Sequence, residues 1–93
     1  MKNLIKDIND SSIKIIEDCA QSFGSGIYCQ RVGSIGDTGC FSFYPTKNLG
    51  CYGDGGMITT NSEEAYNVIR KLKNHGSSKR YHHDTIGYNS RLD

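Results

Sequence analysis

Cys40-Phe41-Ser42-Phe43-Tyr44-Pro45-Thr46-Lys47-Asn48-Leu49-Gly50, CFSFYPTKNLG, is the stretch on which the reading of this chain turns. Cys40 to Tyr44 has the composition of a strand, and Pro45 stops it. Pro45 fixes its own φ and pushes Tyr44 towards an extended shape, so the turn that follows is stiff. That turn delivers one lysine, Lys47, into a glycine-rich segment. Either the amine is a solvated surface charge, or it is a nucleophile that the turn presents.

The flanking segments supply the frame. Ile13-Lys14-Ile15-Ile16 is a β-branched run of strand length that ends in the acids Glu17 and Asp18. Leu4, Ile5 and Ile8 suggest the tail of a short helix that stops near Asn9-Asp10-Ser11-Ser12. From Gly24 to Gly39 the chain carries five glycines and no helical period, so a loop is expected. Met57-Ile58-Thr59-Thr60 reads as a third strand. Ala65, Val68, Ile69 and Leu72 then fall at i, i+3, i+4 and i+7, the apolar stripe of a helix. Asn61 is its expected cap, with Glu64 completing a capping box, basic residues in the last turn and Gly76 as the stop. Ser77 to Asp93 is polar, lacks either period, and is expected to be an extended loop.

Composition narrows the function classes. The chain has 93 residues, 11 basic and 10 acidic, so a net charge of +1 gives no global field for nucleic acid or membrane. At this size about 60–65% of the unfolded surface is expected to be buried. No apolar run approaches membrane-spanning length and no secretory pattern opens the chain, so a cytoplasmic protein is expected. Cys19, Cys29, Cys40 and Cys51 are spaced too widely for paired zinc ligands, and no disulfide framework is expected; they read as free thiols used as small apolar residues. Arg70 to His83 holds five Lys or Arg, three His and no acid. It lacks a base-reading motif, has few aromatics to stack bases, and is expected to be a helix terminus with a solvated loop rather than a nucleic-acid surface. His82 and His83 are too close for a convincing metal site. Three short strands and one helix make an α/β sheet whose faces they cannot cover, so the chain reads as the middle of something larger.

In open α/β sheets ligands bind beyond the carboxyl ends of strands, where Asp18 and Lys47 are expected. Ser42, Gln21 and a Gly53-Asp54-Gly55-Gly56 turn are expected nearby. An isolated lysine suits chemistry on a carbonyl, which needs a neutral amine. Pyridoxal phosphate further needs a carboxylate at its ring nitrogen.

Taken in order, Glu-Asp-x-Ala-Gln, Gly-Asp, Ser-Phe-x-x-x-Lys, Gly-Asp-Gly-Gly and Gly-x-Asn-x-Arg closely resemble the pyridoxal-phosphate-dependent nucleotide-sugar aminotransferases of the DegT/StrS group, from about Ile13 to Asp93. The resemblance implies the central piece of the large domain of a fold-type-I, aspartate aminotransferase-like enzyme, with residues 1–93 a partial cofactor-binding domain. It implies that Lys47 bonds the cofactor and shuttles protons, Asp18 pairs with the pyridine nitrogen, Gln21 packs by the ring, and Ser42 binds the phosphate. Asn89 is similar to an asparagine lent across a homodimer interface to the neighbour's phosphate. It also implies a keto-sugar on a nucleoside diphosphate as acceptor and glutamate as donor, most like enzymes of dTDP-linked 3-keto-6-deoxyhexoses. Lysine at 47 sets the chain apart from the group's dehydratases, which carry histidine there. Further phosphate ligands, the ring-stacking residue and the small domain are expected outside this stretch, so the 93 residues alone are expected to be inactive. The alternative is a non-catalytic remnant or binding fragment of such an enzyme.

Overall fold

The computed structural model describes residues 7–8 and 12–92. The helix tail expected over Leu4 to Ile8 lies, but for Asp7 and Ile8, outside them. The chain divides into two compact units, 1–61 and 62–93. Its elements in order are β1 (Ile16–Asp18), β2 (Gly26–Ile27), β3 (Gln30–Arg31), β4 (Thr38–Ser42), β5 (Gly56–Thr60), α1 (Glu63–Leu72), β6 (Ser77–Lys79) and β7 (His82–His83).

The first unit is built on a three-stranded sheet of order β1-β4-β5. β1 runs parallel to β4, and β5 pairs antiparallel with β4. Alternation of side chains along each strand sorts the residues by register. Glu17, Gly39 and Thr59 share one face with Phe41 and Met57; Ile16, Asp18, Cys40, Ser42 and Ile58 share the other.

The first strand starts at Ile16, three residues later than its apolar run suggests, because Ile15 is engaged otherwise. Its N–H donates to the Asp37 carboxylate at 2.9 Å, and its carbonyl accepts from Asp37 N at 2.9 Å and Thr38 N at 3.3 Å. Asp18 is therefore the last residue of β1 rather than the residue beyond it. The glycine-rich crossover from β1 to β4 is not all loop: β2 and β3 form a two-residue hairpin. Its tip, Tyr28 and Cys29, has φ of 49° and 63°, both left-handed as a tight primed turn requires. Neither residue type signals such a turn, which is why the sequence conceals it.

Gly33 and Gly39 let the crossover lie against the sheet. Gly33 has φ +84°, and a Cβ there would stand 2.6 Å from the Phe41 ring and 2.9 Å from Thr59 Oγ1. A Cβ on Gly39 would run into the Cα of Gly33. Phe23 packs edge-to-face on Phe41 and Phe43, with centroids 5.8 and 6.2 Å apart, an arrangement that adds to simple burial.

In the second unit α1 is capped by Ser62, not Asn61: Ser62 Oγ accepts from Ala65 N at 3.2 Å. Ala65 thus holds the third helical position, and Glu64 is one residue short of closing a capping box. Glu63 and Glu64 still favour the positive helix end. His75 and Gly76, at φ 57° and 72°, turn the chain out of the helix. The following segment, expected to be loop, is a bulged hairpin of β6 and β7 followed by a bridge between Asn74 and Asn89. Short polar strands carry no alternation that would reveal them.

The described residues bury little. Beside Gly33, Gly39 and Gly76, only Cys19 and Glu17 among them are buried, each 2% exposed, and Ile16 is 68% exposed. The accessible area is 7491 Å², against about 5,400 Å² from the usual scaling with mass and above what the size alone predicts. No helix among the described residues is long and apolar enough to cross a membrane.

Gly33→Ala is expected to destabilise the chain by about 2 kcal/mol or more, from left-handed backbone and overpacking. Gly53→Ala, where nothing lies within 4 Å of the added methyl, is the control, and paired urea unfolding midpoints check the difference.

Candidate active site

Asp18 closes β1 and its Oδ1 accepts from Ala20 N at 3.1 Å. That bond starts two successive turns, Ser22 N to Cys19 O at 3.1 Å and Ser25 N to Ser22 O at 3.0 Å. Asp18 thus caps a turn. Phe23, within these turns, is the apolar anchor that ties them to β4, so Gln21 rides on a braced segment.

Lys47 comes from the other side of the chain. Lys47 N donates to Tyr44 O at 2.8 Å, closing a β-turn with Pro45 in its second position, where a fixed φ is favoured. The neck of the 44–50 loop is pinched by Cys51, whose N–H donates to Phe43 O at 2.8 Å. Cys51 Sγ also lies 2.9 Å from Phe43 O and from Gly53 O. A Cβ on Gly50 would collide with the Pro45 carbonyl, so the loop folds back on itself only with glycine there.

These two segments meet. Asp18, Ala20, Gln21, Ser22 and Lys47 line one cleft of about 380 Å³. Among the described residues the ion pairs are Lys14–Asp37 and Lys71–Asp84, so Asp18 and Lys47 share the cleft without neutralising each other. Ser42 lies on the sheet face of Asp18, two residues beyond its register partner Cys40, and its Oγ accepts from Tyr44 N at 3.3 Å. It does not line the cleft. Asn89 belongs to the second unit, where its backbone bridges Asn74.

The residue that sequence reasoning passed over is Glu17. Its carboxylate is buried and accepts three backbone N–H groups: Ile35 at 2.7 Å and Gly36 at 2.8 Å on Oε1, and Gly33 at 2.9 Å on Oε2. Burial alone would push its pKa up, but the three amides outweigh it and hold the pKa below the ordinary value. A signal was present in the alternation Ile16-Glu17-Asp18, which puts Glu17 on the face opposite Asp18. The Gly-Asp pair at 36–37 is also structural, since Asp37 orders the start of β1. Its pKa is lowered chiefly by the Ile15 amide and further by Lys14.

The cationic stretch of the second unit is partly neutralised from within. Lys71 lies 2.8 Å from Asp84, whose pKa is lowered by that bond and by Ser78. Arg70 sits 6.0 Å over Tyr66 and Arg80 5.1 Å over Tyr81. Arg70, Lys71, Lys73 and Arg91 border a depression of about 760 Å³. Among the described residues no group of three His, Cys, Asp or Glu could hold a metal ion. The four cysteines are unbridged; Cys19 is buried, while Cys29 is exposed and so not used as core.

Fold and site together define an α/β protein that presents a lysine and a carboxylate in one cleft at the carboxyl end of β1. The model of the DegT/DnrJ/EryC1/StrS aminotransferase family matches residues 1–93, and the chain belongs to that family. It is 59% identical over 81 residues to the UDP-N-acetyl-3-dehydro-α-D-glucosamine 3-aminotransferase of Acidithiobacillus ferrooxidans, covering 87% of this chain and 22% of the relative. It is 47% identical to the dTDP-3-amino-3,4,6-trideoxy-α-D-glucose transaminase of Streptomyces venezuelae, over 87% of this chain and 21% of that protein. A DegT/DnrJ/EryC1/StrS aminotransferase from Brucella abortus superposes with a TM-score of 0.91 at 40% identity, covering 99% of this chain and 25% of its own. The S. venezuelae DesV structure, solved with a ketimine intermediate, gives 0.90 at 43% identity, covering 99% and 25%. The chain thus spans about a fifth to a quarter of the length of the proteins it matches.

The lowered pKa of Glu17 fixes a sign. Its contribution to stability is complete above the unfolded carboxylate value, about 4.3, and is lost as pH falls from there through the lower folded value. Glu17→Gln is expected to cost about 2–4 kcal/mol at neutral pH and to flatten the acid limb, as urea unfolding between pH 3 and 7 checks.

Proposed function

We propose that this chain carries the catalytic lysine and the ring-nitrogen carboxylate of a pyridoxal-phosphate-dependent aminotransferase acting on a keto group of a nucleotide-linked sugar. The observation that carries the reading is that Lys47, Asp18 and Gln21 line one cleft with amine and carboxylate unpaired. This donor set fits the cofactor, which asks for an amine at one end and an anion at the other. Bound there, pyridoxal phosphate supplies an aldehyde that condenses with amines and a ring that withdraws electrons from the reacting carbon.

The chain's own groups then take defined parts. Asp18, already oriented by Ala20 N, keeps a proton on the ring nitrogen. Lys47 would hold the cofactor through its amine, and its Nζ would carry protons between donor and sugar carbons. Gln21 flanks the ring. Ser42 offers its hydroxyl to the phosphate, and Asn89 serves the phosphate of a neighbouring subunit in a homodimer. Glutamate is the proposed donor, and the setting is the cytoplasm.

The acceptor is proposed as a 3-keto sugar. Relatives named for UDP-linked 3-dehydro and 3-oxo sugars stand beside others named for dTDP-linked 3-amino sugars. The position is thus better supported than the dTDP-linked 6-deoxyhexose that the sequence resemblance implies. Activity is proposed for a protein in which these residues act together with further phosphate ligands and a ring-stacking group. The 93 residues alone, so largely exposed, are expected to turn nothing over.

Incubation with pyridoxal phosphate, borohydride reduction and peptide mapping test the reading. Label concentrated on Lys47 and lost in Lys47→Ala is expected. Label spread over surface lysines and unchanged in the variant would leave the chain a non-catalytic remnant.

A further inference from the structure

We propose that Glu17, through its hold on the Gly33–Gly36 backbone, is the positioning residue that keeps the Asp18 carboxylate in the cleft. The inference rests on the reading of Asp18 as the ring-nitrogen partner, but its geometry stands apart from that reading.

β1 is three residues long and pairs with β4. Rotation of so short a strand about its own axis is the motion that would swing Asp18 out of the cleft, because Asp18 and Glu17 project to opposite faces. The Glu17 side chain blocks it. Both carboxylate oxygens are engaged, Oε1 by Ile35 and Gly36 and Oε2 by Gly33, over 2.7–2.9 Å. The loop that supplies these amides is itself fixed from the far strand, since Thr59 Oγ1 donates to Gly33 O at 2.6 Å. A continuous series of bonds therefore runs from β5 through the loop to Glu17. On the other side of Asp18, Cys19 N donates to Cys40 O at 2.8 Å. Asp18 is bracketed by two anchored residues.

The chemistry of the bracket asks for a carboxylate. Three converging N–H groups need an acceptor with no donor of its own. Glutamine offers one oxygen and opposes the remaining amide with an NH₂. Aspartate keeps the charge but is one methylene too short to serve both sides of the loop.

The test uses the isotope-labelled chain without cofactor, so failure of lysine trapping and failure of this proposal are separate results. The Ala20 amide reports on Asp18 through its bond to Oδ1. In Glu17→Gln the Ala20 amide is expected to lose the slowed exchange that its bond to Asp18 confers while the β4–β5 amides stay protected; Glu17→Asp is expected to restore part of it. Unchanged Ala20 exchange with the sheet intact would overturn the proposal and leave Glu17 a stabiliser of the loop alone. Where Glu17→Gln fails to fold, the unmodified chain decides. As Glu17 is protonated in acid, the Ala20 amide signal is expected to shift together with those of Gly33, Ile35 and Gly36; an Ala20 signal that does not follow them, or Gly33, Ile35 and Gly36 amides that exchange freely, would overturn it. The titratable groups around Glu17 are Asp18 on its own strand, Cys19 just beyond it, Asp37 on the loop and Cys40 on β4. Burial first and the charge of Glu17 next raise the Cys19 thiol further above its ordinary, already alkaline value, and Asp37→Asn separates the contribution of Asp37.

Discussion

A buried carboxylate with three backbone amides around it is the constraint on which the first unit depends. Glu17 sits where a sheet of this size would normally place a hydrophobe, and it is tolerable there because both carboxylate oxygens are hydrogen-bonded to backbone amides. The cost of desolvating the charge is met by charge-assisted bonds to fixed donors. The crossover between β1 and β4 has no helix to give it a hydrophobic face, so polar clamps do that work instead. Glu17 holds one part of the crossover, Asp37 holds its end against Ile15, and Thr59 and Thr60 reach across from β5 to Gly33 O and Asp37 O. Small residues make this close approach possible, which is why Gly33 and Gly39 face each other.

That scaffold explains how residues distant in the chain come to line one cleft. Asp18 is placed by the strand that Glu17 anchors, and Gln21 by turns that Phe23 fastens to two aromatic rings. Lys47 is placed by a loop whose neck, at Phe43 and Cys51, is closed by a backbone bond and a thiol. Each side chain is held by backbone restraints rather than by contact with the others. An amine and a carboxylate that share a cleft without pairing leave room for a ligand with complementary ends, the arrangement that preorganised sites use.

Much of the site was legible in the sequence because its signals are local. Proline before a lysine, an acid ending a β-branched run and glycines at fixed offsets each carry a mechanical meaning that survives translation into structure. β4, β5 and α1 appeared close to where composition and period placed them. Other features were hidden for physical reasons. The start of β1 was displaced because Asp37, far along the chain, captures the backbone of Ile15. The hairpin at Tyr28-Cys29 uses left-handed residues without glycine or asparagine, and β6 and β7 are polar and too short for alternation. The cap moved by one residue because Asn61 and Ser62 are both competent and only geometry chooses between them. Glu17 was overlooked beside Asp18, since two adjacent acids look alike until a strand sends them to opposite faces.

The most direct measurement is amide hydrogen exchange, residue by residue, on the unmodified chain. If the Glu17 carboxylate organises the crossover, Gly33, Ile35 and Gly36 should exchange as slowly as the paired amides of β4 and β5, although they lie outside any strand. Exchange of those three amides at the rate of exposed loop residues, with β4 and β5 protected, would contradict the claim that this carboxylate holds the site together.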